Sequence, residues 1–172
     1  MPELLRFGKA DLRAVEQARE FAAELVGGFY ALAPREWERM DYEVCTLRQL
    51  TPEEICDQAF AQVLCYDCVK RVGADVIERR ELYRICLQDH RILRVAERGA
   101  KPDKLDLEAM LLYVLTHELV HVVRFSQRMQ QLDLAPELRP IEELSVEQTT
   151  KQILAPVTDP ALERVFAACI TR

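Results

Sequence analysis

Between Ala109 and Leu115 the chain reads Ala-Met-Leu-Leu-Tyr-Val-Leu, apolar on every face of a helix, and it runs on into His117-Glu118-Leu119-Val120-His121. A helix that is apolar all round has to lie in the middle of its domain, so the rest of the chain must wrap it. Residues four apart sit about 40° apart around a helix axis and one turn along it, so both imidazoles can meet one metal ion. Glu118 lies about 100° from His117 and about 60° from His121, beside the pair, where a base acting on metal-bound water belongs. Three histidines scattered at random over such a length would give a pair at this spacing only roughly three or four times in a hundred.

Length and composition narrow the options. A chain of 172 residues is one domain by size, residues 1–172, with room for a core but none for a separate substrate domain. Hydrophobic residues at 49%, charged residues at 30% and only five glycines describe an ordered, helix-rich globular protein. The net charge of −6 and the lack of a basic stripe argue against nucleic acid, whose phosphates need clustered Lys and Arg. Met1 to Phe7 has no basic flank before a long apolar core, and no apolar run approaches spanning length, so the expectation is a cytoplasmic chain without membrane contact. Nothing in the sequence points to an oligomeric state.

Without a secretion signal the six cysteines read as reduced, small buried hydrophobes. Cys65-Tyr66-Asp67-Cys68 is a lone C-x-x-C; a zinc ribbon needs a second pair and a redox fold needs a preceding strand, so a structural role is expected.

Along the chain, Leu12, Val15, Ala18, Ala22 and Leu25 recur at helical spacing from Lys9 to Val26, and Gly27-Gly28 should stop that helix. Pro34 to Met40 is ambiguous, and Tyr42 to Leu50 leans towards a strand. Thr51-Pro52-Glu53-Glu54 is a helix start, from which a helix is expected over Pro52 to about Val72, ended by Gly73. Tyr83, Ile85 and Leu87 alternate with polar residues, and Ile92, Leu93 and Val95 resume beyond Asp89-His90, which suggests a hairpin over Leu82 to Ala96. Asp106 caps the central helix, expected to run to about Gln130 with Arg124 and Arg128 on the His121 side. A further helix is expected over Ile141 to Leu154, and a short one over about 159–171 whose Leu162, Val165, Phe166, Cys169 and Ile170 make one apolar stripe.

Two histidines leave a catalytic metal short of its third protein ligand. The acids of the following helix, Glu142, Glu143 and Glu147, are the candidates. With these residues in place the sequence over about Leu107 to Leu154 resembles the gluzincin branch of the zincin-like zinc metallopeptidases, in which a second helix supplies a Glu ligand. The resemblance implies Zn2+ held by His117, His121 and Glu143, with Glu147, one turn further on, bonding a ligand histidine; the two glutamates could also exchange roles or both touch the metal. Glu142 points about 100° away and is expected to face solvent. The metzincin continuation is absent, because Arg124 and Arg128 stand where Gly and a third His would be needed.

The resemblance implies an α+β, predominantly helical fold: zincin-like, with a small antiparallel hairpin and a central buried active-site helix. It implies hydrolysis of peptide or protein substrates, Glu118 acting as general base on water. His90, Tyr113 and Arg124 are candidate donors to the tetrahedral oxyanion, and the hairpin's edge strand could pair with an extended peptide. The terminal segment, through Cys169, could hold such a cleft latent. The alternative is a non-catalytic zinc-binding or interaction protein in which the metal only stabilises the fold.

Overall fold

The computed structural model describes residues 3–99, 102–128 and 134–169. Its elements in chain order are α1 (Lys9–Phe29), α2 (Pro34–Arg39), β1 (Tyr42–Cys45), a single 3-10 turn (Pro52–Glu54), β2 (Ala61–Val72), β3 (Asp75–Leu87), α3 (Asp89–Val95), β4 (Ala96–Glu97), β5 (Leu105–Asp106), α4 (Leu107–Ser126), α5 (Arg139–Leu154) and α6 (Pro160–Cys169). The chain is thus mixed, mainly helical, with a small sheet. Among the described residues no helix is long and apolar enough to cross a membrane.

Everything is arranged around α4. The Asp106 carboxylate caps it by accepting from the Ala109 N–H at 2.9 Å, which satisfies one of the N–H groups a helix start leaves unpaired. Met110, Leu111, Leu115, Leu119 and Val120 have no exposed surface, as the apolar sequence requires. Each such side chain stabilises the fold by roughly 1.5–3 kcal/mol through removal from water. α1 lies along α4 and offers the small residues Ala14, Ala18 and Ala22, while α5, α6 and β2 close other sides.

The three-stranded sheet has the order β1-β3-β2, with β1 parallel and β2 antiparallel to the central β3. Gly73, at φ 62, makes the tight turn between the two long strands, a left-handed conformation that favours glycine. Only the inner end of this hairpin is core: Tyr83, Ile85 and Leu87 are buried, whereas Val72, Val76 and Ile77 near the tip are exposed. The Gln88 side chain fastens the segment leading into β2, donating to the Glu54 carbonyl at 2.9 Å and accepting from the Cys56 N–H at 3.0 Å. Next to it the buried Asp89 accepts from Phe7 N–H and Leu47 N–H, each at 3.0 Å.

Several expectations change. The helix expected over Pro52 to Val72 is one 3-10 turn followed by strand β2, because pairing of Ala61–Val72 with β3 overrides the local helix-start signal. The hairpin expected over Leu82 to Ala96 is displaced: β3 pairs backwards with β2, and His90 lies in α3, not in a turn. Helix α1 runs through Gly27 and Gly28 to Phe29, and α4 ends at Ser126, short of Gln130. Gln130 and Ile170 lie outside the described residues. Cys65 and Cys68 are on a strand, not a helix, and three positions apart there they point to opposite faces, which separates the C-x-x-C as a unit.

Candidate metal centre

α4 and α5 meet where the histidines are. Glu143 Oε2 lies 3.3 Å from Nε2 of His117 and Glu143 Oε1 lies 3.2 Å from Nε2 of His121. Ligand atoms of these three residues all fall within 4.8 Å of one another. A charge-assisted N–H to carboxylate bond is usually about 2.7–2.9 Å, whereas neighbouring donors around a tetrahedral zinc ion lie about 3.3–3.5 Å apart, given bonds of about 2.0–2.2 Å. The observed 3.2 and 3.3 Å are long for such bonds and close to the second range, so this donor set could also hold such an ion.

Packing fixes the rings. His117 and His121 stand edge to face, 5.1 Å between centroids, and Phe125 stacks on His121 while Tyr113 flanks His117. His117 Nδ1 is buried with no hydrogen-bond partner among the described residues, where a ligating imidazole usually donates to a carboxylate or carbonyl.

Glu118 is buried beside the pair and lines the same cleft. Burial pushes its carboxyl above the usual range, and the two imidazoles pull it back only in part. Hydrogen bonds from His117 and His121 hold the Glu143 carboxyl far below that range, even though its side chain is 57% exposed. Burial drives the Tyr113 phenol well up, with Cys169 and the three glutamates Glu147, Glu118 and Glu143 adding to the effect, so Tyr113 stays a proton donor at neutral pH.

The cleft measures about 750 Å³ and is lined from β2 and its approach by Phe60, Ala61 and Val63, and from the helices by Tyr113, His117, Glu118, His121 and Glu143. Glu147 and Cys169 also line it, but neither belongs to the three-residue group. Glu147 instead forms a salt bridge with Lys151 at 3.0 Å. Glu142, expected in solvent, is half-buried and paired with Arg124, which is therefore engaged away from the imidazoles. His90 is 1% exposed, with Nε2 2.8 Å from Asp57, and is not among the residues that line the cleft. Of the three expected oxyanion donors only Tyr113 stands at it.

Two charged residues of the cleft escaped the sequence reading, Arg91 and Arg139. Arg91 was hidden by the misplaced hairpin. Arg139 lies before the helix expected from Ile141, whereas in the fold it is the first residue of α5. A larger cleft of about 960 Å³ lies elsewhere, lined by Asp41, Asp67, Arg79, Arg80, Glu81 and Arg128 among others. Three of its four arginines are matched by acids, Arg79 with Asp67, Arg80 with Asp41 and Arg128 with Glu81. No protein-family model matches this chain, and neither a curated protein nor a solved structure matches it.

Proposed function

We propose that the chain is a small zinc-dependent peptidase of zincin-like architecture, hydrolysing peptide bonds in the cleft between α4, α5 and β2. The observation that carries this reading is the His117, His121 and Glu143 group with the buried Glu118 at its side in one cleft. Zinc bound there would lower the pKa of a water molecule and polarise a carbonyl.

The residues divide the remaining work. Glu118, with a carboxyl already shifted upward by burial, is suited to take a proton from water and return it to the departing amine. Tyr113 is the protonated donor at the cleft wall and the candidate partner for the oxyanion. β2 supports an extended substrate. The Phe60 carbonyl accepts from Gln88 N–H at 2.8 Å, so by the alternation of an antiparallel ladder Ala61 and Val63 turn their N–H and C=O groups to the free edge, and both line the cleft.

Zinc-loaded protein should cleave an unfolded protein such as casein. Glu118→Gln should bind zinc as before and lose at least about a hundredfold in rate. Tight zinc binding with no hydrolysis by the unsubstituted chain would favour a structural metal instead.

A further inference from the structure

The cleft holding the histidines also holds two guanidinium groups that no acid among the described residues pairs. Arg91, on α3, and Arg139, the first residue of α5, both line it, and among the described residues neither forms an ion pair. This runs against the composition of a chain with 29 acidic and 23 basic residues, in which three of the four arginines of the other cleft are matched by acids. The acids lining the metal cleft are already committed: Glu143 to the two imidazoles, Glu147 to Lys151, and Glu118 to a buried place beside the histidines.

Arg91 is held ready. Its guanidinium lies over the Phe60 ring, 5.8 Å from the centroid, and its Nε is buried without a hydrogen-bond partner among the described residues. A buried donor left unpaired costs free energy that an incoming acceptor would recover. The planar fork of an arginine fits a carboxylate through two parallel hydrogen bonds. Arg139 adds a second positive charge at the start of α5, where the helix dipole already favours an anion.

We propose that Arg91 selects the substrate of this cleft by binding a carboxylate, supplied either by an acidic side chain or by the free C-terminus of a peptide, with Arg139 as a supporting cation. The proposal rests on the peptidase reading for its substrate class, and a binding experiment separates the two.

The test uses the full chain with zinc and with Glu118→Gln, so that peptides stay intact. Fluorescein-labelled hexapeptides of Ala and Gly, with one Glu or one Gln at each position in turn and the C-terminus free or amidated, are titrated by anisotropy. A carboxylate at one place should tighten binding about tenfold, Arg91→Gln should erase that preference, and Arg91→Lys should keep part of it. A preference for Glu at one position assigns a side chain, and a preference for the free terminus assigns the C-terminus. Equal binding of charged and uncharged peptides, or binding of none, overturns the proposal. Cleavage of the same peptides by the unsubstituted chain without a carboxylate preference removes the subsite and leaves the peptidase reading, while carboxylate-selective binding without cleavage does the reverse.

Discussion

Arg124 and Glu142 form an ion pair between α4 and α5 with side chains only 13% and 17% exposed, three residues beyond His121 and one before Glu143. Such shielding sets it apart from a surface pair, which contributes little. Because Glu143 follows Glu142 by about 100° on the helix, clamping Glu142 to α4 rotates Glu143 towards the two imidazoles. Arg124→Met should therefore lower zinc affinity by about tenfold without touching a ligand, measured by calorimetric titration with a chelator competitor. Unchanged affinity would mean that α5 needs no clamp to present Glu143.

The two glutamates one turn apart should separate cleanly. Glu143 bridges both histidines, whereas Glu147 is neutralised by Lys151. Glu143→Gln should cost at least about a hundredfold in zinc affinity, since it removes the charged group of the proposed zinc site, and Glu147→Gln less than about threefold, since it removes only a neighbour. Elemental analysis after dialysis, run on both variants side by side, checks the ranking. Loss of zinc from the Glu147 variant alone would reverse the assignment.

The central helix was legible because its signals are local: a capping Asp106, an apolar run and histidines at helical spacing all lie within one segment. Glu143 was singled out by the resemblance, and the fold does bring it beside the two histidines. The sheet was not. β2 begins seven residues after Glu54, and Thr51-Pro52-Glu53-Glu54 starts a turn that stops at once, because Gln88, far along the chain, ties down the residues that follow. Gly73 fits a helix stop by local pattern, yet it makes the hairpin turn. Strand pairing is a long-range energy that a local pattern does not contain. The same error concealed Arg91, whose place at the cleft depends on α3 following β3.

Glu54 should make the fold sensitive to acid. Burial raises its carboxyl, but bonds from the Tyr66 hydroxyl and the Thr51 N–H, with the Arg84 charge, outweigh burial and leave it below its usual range. A carboxyl lower in the folded state than in the unfolded one contributes fully above the unfolded pKa, roughly 4.3, and loses that contribution as pH falls through the folded value. Glu54→Gln should be less stable by about 1–2 kcal/mol at pH 7, and the gap should shrink below about pH 4. Urea unfolding at both pH values measures this; a constant gap would assign the loss to packing.

The edge of β2 offers a test that separates backbone from side chain. β2 is outermost in its sheet, and the bond from Gln88 N–H to the Phe60 carbonyl sets the alternation that turns the Val63 N–H away from β3 and towards the cleft. Proline at an edge position whose N–H faces outward removes no ladder bond and is tolerated. Val63→Pro should thus keep the circular dichroism spectrum of the native chain while removing one donor available to an extended peptide. Val63→Ala keeps the donor and trims only the side chain. If substrates lie along β2, kcat/KM should fall about tenfold in the proline variant and less than about threefold in the alanine variant, one charge-neutral hydrogen bond accounting for the difference. Equal losses in the two would place the side chain, not the strand edge, in contact with substrate, and no loss in either would move the peptide to the α5 wall, beside Arg139 and Glu143.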